Sequence, residues 1–237
     1  MSAGALLLLG LLFGMQHATE ADHLAAVATL VARERQLGPA IRQGVFWGLG
    51  HSLTLLLFGG AVMVVGIAMS DRSVHALEGA VGVMLVLLGA DLLRRLWRDR
   101  IHFHPHAHVG QAPGAGLHFH AHSHRGEHAP HDRATHVHEH RPVPLRALVV
   151  GMVHGLAGSA ALVLLTLQKV RSPWLGLVYV LLFGLGSVAG MAILSAIVSV
   201  PMRLSARRLT RWHRALNVAV ALFSIALGLH VIGTEWI

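Results

Sequence analysis

Gly14-Met15-Gln16-His17-Ala18-Thr19-Glu20-Ala21-Asp22-His23-Leu24 sets four ionisable side chains within seven positions of a stretch that is apolar on both sides. The apolar block runs from Ala3 to Val31, long enough to cross a bilayer, which takes about 20 residues. Its middle falls near His17, and at about 1.5 Å rise per residue Asp22 and His23 lie roughly 8–9 Å to one side of centre. Ionisable groups at that depth are costly in hydrocarbon and mark ion or substrate pathways. One straight helix cannot aim them all at one ion. At about 100° per residue, His17, Glu20 and His23 fan over roughly 120° of helix surface while Asp22 points away. Either the helix is unwound here, as in discontinuous transporter helices, or Asp22 stands behind the ligands and orients a histidine.

Around this stretch the chain reads as an all-α integral membrane protein. Of its 237 residues 54% are hydrophobic and 13% charged, against about 25% charged in soluble domains. Further apolar blocks begin near Gly44, Val74, Leu145, Trp174 and His213, which makes six spans. The first block has no basic residue ahead of it and no small-residue cleavage pattern, so it is expected to be retained rather than removed as a signal peptide. Trp47, Trp97, Trp174, Trp212 and Trp236 fall near span ends, where indole rings favour the interface. The formal charge of +8 does not point to nucleic acid, because the arginines sit in short clusters between apolar blocks. The connections 32–43, 94–146 and 202–214 hold all of the 19 basic residues except Arg72, Lys169 and Arg171. By the positive-inside rule that side is cytoplasmic, which puts both termini outside and the protein in the cell (inner) membrane.

The spans fall into two halves of three, residues 1–97 and 145–237, joined by a hydrophilic segment, 98–144. Gly14-Met15-Gln16-His17 matches Gly151-Met152-Val153-His154 at a spacing of 137, and Trp47-Gly48-Leu49-Gly50 resembles Phe183-Gly184-Leu185-Gly186 at 136. An odd number of spans per half inserts the second copy upside down. Inverted repeats of this kind place a transport site near the midplane, where the halves meet.

Span two adds His51, within Gly48-Leu49-Gly50-His51-Ser52, at about the depth of Asp22 and His23. Span four adds His154 close to the centre. A lone membrane histidine more often serves a helix–helix hydrogen bond than a metal; the span-one cluster makes these two candidate ligands. The candidate metal site is therefore His17, Glu20, Asp22, His23, His51 and His154. With no cysteine in the chain, any ion is held by nitrogen and oxygen.

The joining segment carries thirteen of the 20 histidines. They alternate with other residues at His102, His104, His106 and His108, again at His118, His120, His122 and His124, and at His136, His138 and His140. Glycine and proline leave it no helical period, so disorder is expected without metal. Alternating imidazoles on one edge of an extended chain suit weak, exchangeable metal binding, hence buffering or delivery.

The pattern His17-x4-Asp22-His23 resembles the signature of the nickel/cobalt transporter family, and Leu49-Gly50-His51-Ser52 is similar to its second motif. The chain is similar to the shorter urease-accessory-like nickel permeases, which carry a His-rich central loop and a Gly-x-x-His-Gly-x-x-Gly-Ser segment like that from Gly151 to Ser159. The resemblance implies that His17, Asp22 and His23 handle the metal, with Ni2+ or Co2+ as transported substrate and no prosthetic group. It implies uptake, with delivery to a cytoplasmic metallochaperone or a urease or hydrogenase maturation system, and leaves a homo-oligomer open. The larger family members have more helices than the six read here, and their second-half motif is not evident. Efflux on the same scaffold is the nearest rival reading. A membrane metalloenzyme is the rival from another class, and no His-Glu-x-x-His stands in the chain to favour it.

Overall fold

In the computed structural model the first apolar block is two helices, α1 (Ala3–His17) and α2 (Ala21–Val31). The structure describes residues 3–32, 34, 36–65, 70–98, 102–103, 121–122, 144–156, 173–208 and 210–236. Span one is therefore broken, and the break lies within the polar cluster. Its loose backbone groups find partners locally. The amides of Thr19 and Glu20 reach back three residues to the carbonyls of Gln16 and His17, at 2.9 and 3.1 Å, and the Thr19 hydroxyl donates to Gln16 O at 2.6 Å. Glu20 is extended, with φ −63° and ψ 153°, and α2 starts behind it. Asp22 sits in the first turn of α2 and accepts the otherwise unpaired amide of His23 at 2.8 Å. A carboxylate there also complements the positive end of the helix dipole.

Among the described residues five more helices follow: α3 (Leu37–Val65), α4 (Asp71–Arg98), α5 (Leu145–Leu156), α6 (Pro173–Arg208) and α7 (Thr210–Trp236). The segments Asp71–Arg98, Trp174–Ser205 and Trp212–Trp236 are each long and apolar enough to cross a membrane, while α5 and the two pieces of span one are shorter apolar helices. Of the stretch 202–214, expected as a connection, the described residues are helical. α6 continues to Arg208 and α7 resumes at Thr210, because Leu204, Ala206, Arg207 and Arg208 are good helix formers although they leave the apolar run. Between α4 and α5 an antiparallel two-residue ladder pairs His102 with His122 and Phe103 with Ala121. The histidines at 104, 106, 108, 118, 120, 124, 136, 138 and 140 lie outside the described residues, as does the part of the Gly151–Ser159 motif beyond Leu156.

The side chains are distributed as in a protein whose solvent is lipid. Leu57, Leu87, Leu185 and Ile197 are exposed, while four histidines, Ser187, Ser195, Ser199, Asn217 and Ser224 are buried. α2 is enclosed, its Ala25, Val27 and Val31 packing with Val81, Leu85 and Leu88 of α4 and with Met191 of α6. Trp47 departs from its expected place at the interface: it is fully buried in this core, because it occupies the inward face of α3. Trp97, Trp174, Trp212 and Trp236 are exposed near helix ends.

Main chains meet directly at glycines. A Cβ at Gly14 would strike the carbonyl of Phe183, and one at Gly186 the carbonyl of Leu11, which joins α1 to α6. A Cβ at Gly151 would strike the carbonyl of Trp47, and one at Gly50 that of Leu148, which joins α5 to α3. Small residues permit this approach in membrane helices. Gly151→Ala is expected to destabilise the fold by about 1–3 kcal/mol through overpacking. It should lower the thermal midpoint of the purified protein in detergent, whereas Gly233→Ala, with nothing within 4 Å, should not. Equal midpoints for the two variants would refute the close contact.

Candidate metal centre

Four helices deliver one histidine each to one buried cluster. His17 ends α1, His23 opens α2, His51 lies inside α3 and His154 lies near the end of α5. Their relative exposures are 5%, 1%, 0% and 2%, so water does not reach them freely. Ring centroids stand 4.4 Å apart for His17–His23, 5.3 Å for His17–His51, 5.3 Å for His23–His51, and 4.1 Å for His23–His154. His51 and His154 are 6.0 Å apart. One ring nitrogen each from His17, His23 and His51 fall within 4.8 Å of one another, a spacing that could hold an ion.

The carboxylates stand behind the imidazoles. Glu20 Oε1 meets His17 Nδ1 at 2.8 Å. Asp22 meets two rings, with Oδ1 on His23 Nδ1 at 2.9 Å and Oδ2 on His154 Nε2 at 2.9 Å. An ionised carboxylate only accepts, so each ring nitrogen it meets carries the proton, and in a neutral imidazole the opposite nitrogen presents a lone pair. Those opposite nitrogens are His17 Nε2, His23 Nε2 and His154 Nδ1, and all three are buried with no partner among the described residues. His51 is more extreme: both of its ring nitrogens are buried and unpartnered. An unsatisfied buried polar group costs about 1–3 kcal/mol, and these four neighbouring rings carry five such nitrogens.

All six intramembrane candidates from the sequence therefore come together, but in two tiers. Histidine lone pairs face the centre, while Glu20 and Asp22 are engaged by ring N–H groups. Asp22, His23 and His154 also form a compact trio, though its contacts are those hydrogen bonds. Two wall residues were not anticipated. The Trp47 ring lies 5.3 Å from that of His23 and 5.6 Å from that of His154, and the Phe183 ring 5.5 Å from that of His17. The signal for Trp47 was available: it precedes His51 by one helical turn and so shares its face. Elsewhere His75, Glu78 and Glu235 could also gather around an ion, but His75 Nδ1 pairs with Glu235 Oε2 at 2.6 Å and ties the start of α4 to the end of α7.

The chain matches the model of the NicO family, described as high-affinity nickel-transport protein, over residues 3–237. It is 35% identical over 227 residues to the urease accessory protein UreH of Bacillus sp. (strain TB-90), an alignment covering 95% of this chain and 90% of that protein. No solved structure matches it. A family match across nearly the whole length, joined to a buried imidazole cluster in an apolar helical protein, leads to one assignment: the chain belongs to the NicO family of nickel transporters.

Proposed function

We propose that the chain takes Ni2+ or Co2+ into the cytoplasm through the His17–His23–His51–His154 cluster. The observation that carries this reading is the cluster of buried, unpartnered ring nitrogens, those of His17, His23 and His154 having their opposite nitrogens engaged by carboxylates. Imidazole is a suitable ligand for these borderline metals. Copper would outbind nickel at most such sites, so selection rests on imposed geometry. The ligands must be neutral to bind, and metal therefore competes with protons. The carbonyl end of α1 and the carboxylate of Asp22 both favour a cation at the break.

The surrounding architecture is six spans in two inverted repeats, with both termini outside and the His-rich segment cytoplasmic. The register of 136–137 residues that relates the sequence halves also relates the glycine contacts: Gly14 on Phe183 corresponds to Gly151 on Trp47, and Gly186 on Leu11 to Gly50 on Leu148. His17 and His154 then occupy equivalent positions in opposite halves, which puts the cluster at the repeat interface, where transporter sites lie. Movement of one half against the other would expose it alternately to each side. The histidines of residues 102–140 receive the ion, and the likeness to a urease accessory protein makes a urease maturation system the proposed consumer.

The test is the full chain in liposomes that enclose a nickel-sensitive dye. Dye response to external Ni2+ in protein-containing vesicles, absent from empty ones, is the expected result; no response would overturn the proposal. Direction is read in cells. Expression should sensitise them to toxic nickel, and protection would reverse the assignment to efflux.

A further inference from the structure

Outside the metal cluster, the described residues form a groove of about 740 Å³ between α4 and α5. Its walls are apolar, formed by Met84 and Leu87 of α4 facing Val149 and Val153 of α5, with Leu87 and Val149 well exposed. One end changes character abruptly. Arg94, Arg95 and Arg146 close it, gathered on Asp91. Asp91 accepts from Arg146 at 2.7 Å, from Arg95 at 2.8 Å and from Arg94 at 3.4 Å. The three arginine side chains nevertheless stay 42–61% exposed. Each carries about five N–H donors, far more in total than one carboxylate accepts. Glu34 and Gln43 share a neighbouring pocket with Asp91, Arg95 and Arg146, so among the described residues three cations stand against two carboxylates.

We propose that this groove binds an anionic phospholipid of the cytoplasmic leaflet, with an acyl chain between α4 and α5 and its phosphate on Arg94, Arg95 and Arg146. Length and charge both fit. From Ala80 to Arg95 the wall is about 22 Å of helix, enough for one leaflet of a hydrocarbon layer roughly 30 Å thick. Basic pockets between membrane helices on the cytoplasmic side attract anionic headgroups. The lipid would brace α5, which holds Arg146 at its start and His154 near its end, against α4.

Lipid retention is read on the full-length protein in detergent without any transport step, so its outcome is separate from that of the transport proposal. Native mass spectrometry with dioleoylphosphatidylglycerol and dioleoylphosphatidylcholine is expected to show one phosphatidylglycerol held about tenfold more tightly. The Arg94→Gln/Arg95→Gln variant should lose that preference, and Val149→Trp, which fills the groove, should reduce retention of both lipids. Equal retention of the two lipids by the wild-type chain overturns the proposal, as does a preference that survives in the double variant. Displacement of phosphatidylglycerol by millimolar inorganic phosphate would assign the arginines to a free anion instead. Preference that arises only after deletion of residues 104–120 would assign the groove to the chain's own His-rich segment. Either result rejects a lipid site.

Discussion

A His51→Leu chain is expected to lose nickel accumulation by more than about 100-fold while keeping, or slightly gaining, thermal stability in detergent. The two halves of this expectation come from one fact: both ring nitrogens of His51 are fully buried without a partner. In the folded protein they are a liability of about 1–3 kcal/mol each, and leucine removes it at similar volume. No hydrogen bond holds the His51 ring, which stands 5.3, 5.3 and 6.0 Å from the rings of His17, His23 and His154. What requires it is a cation. Loss of an outer hydrogen-bond partner costs a metal site roughly 10–100-fold, and loss of a directly donating ring should exceed that. Nickel accumulation by correctly expressed protein, together with its melting midpoint, reads both halves. Normal accumulation would remove His51 from the pathway; a lowered midpoint with normal accumulation would make it a packing residue.

The place of His51 was largely legible before any coordinates. Counting residues from the helix ends put it at the depth of Asp22 and His23, and its ring stands 5.3 Å from that of His23. The recurrence of Gly14–His17 at Gly151–His154 likewise singled out His154, whose ring is 4.1 Å from that of His23. Periodicity also exposed the conflict within span one, but it could not choose between a broken helix and an outer role for Asp22. Both hold. The break is at residues 18–20, and Asp22 serves two histidines, one of them brought by α5. That second partner lies 132 positions away, and no local rule links the two. Trp47 shows the opposite failure. An average preference of indole for interfaces outweighed its position on the His51 face of α3, and the face decided.

Asp22→Asn should weaken apparent nickel affinity by about 10–100-fold, with much less loss of rate at saturating nickel. The argument turns on what an amide can and cannot do. Asp22 accepts from His23 through Oδ1 and from His154 through Oδ2, which fixes both rings with their lone pairs toward the centre. Asparagine keeps one acceptor and replaces the other with a donor. If its oxygen stays on His23, its NH2 meets His154 Nε2, which can pair only by giving up its proton. The proton then moves to Nδ1, the nitrogen that faced the cluster, and His154 ceases to be a ligand. Losing correct orientation of one ring is an outer-sphere defect of the size stated. Glu20→Gln is the internal control: Glu20 touches one ring and is 47% exposed, so the amide can turn its oxygen to His17 and the loss should stay below about tenfold. Concentration dependence of uptake in proteoliposomes distinguishes the cases. If Asp22→Asn abolishes uptake as completely as His51→Leu at every nickel concentration, Asp22 binds the ion directly. If it costs no more than Glu20→Gln, the tie from α2 to α5 has no part in holding the metal.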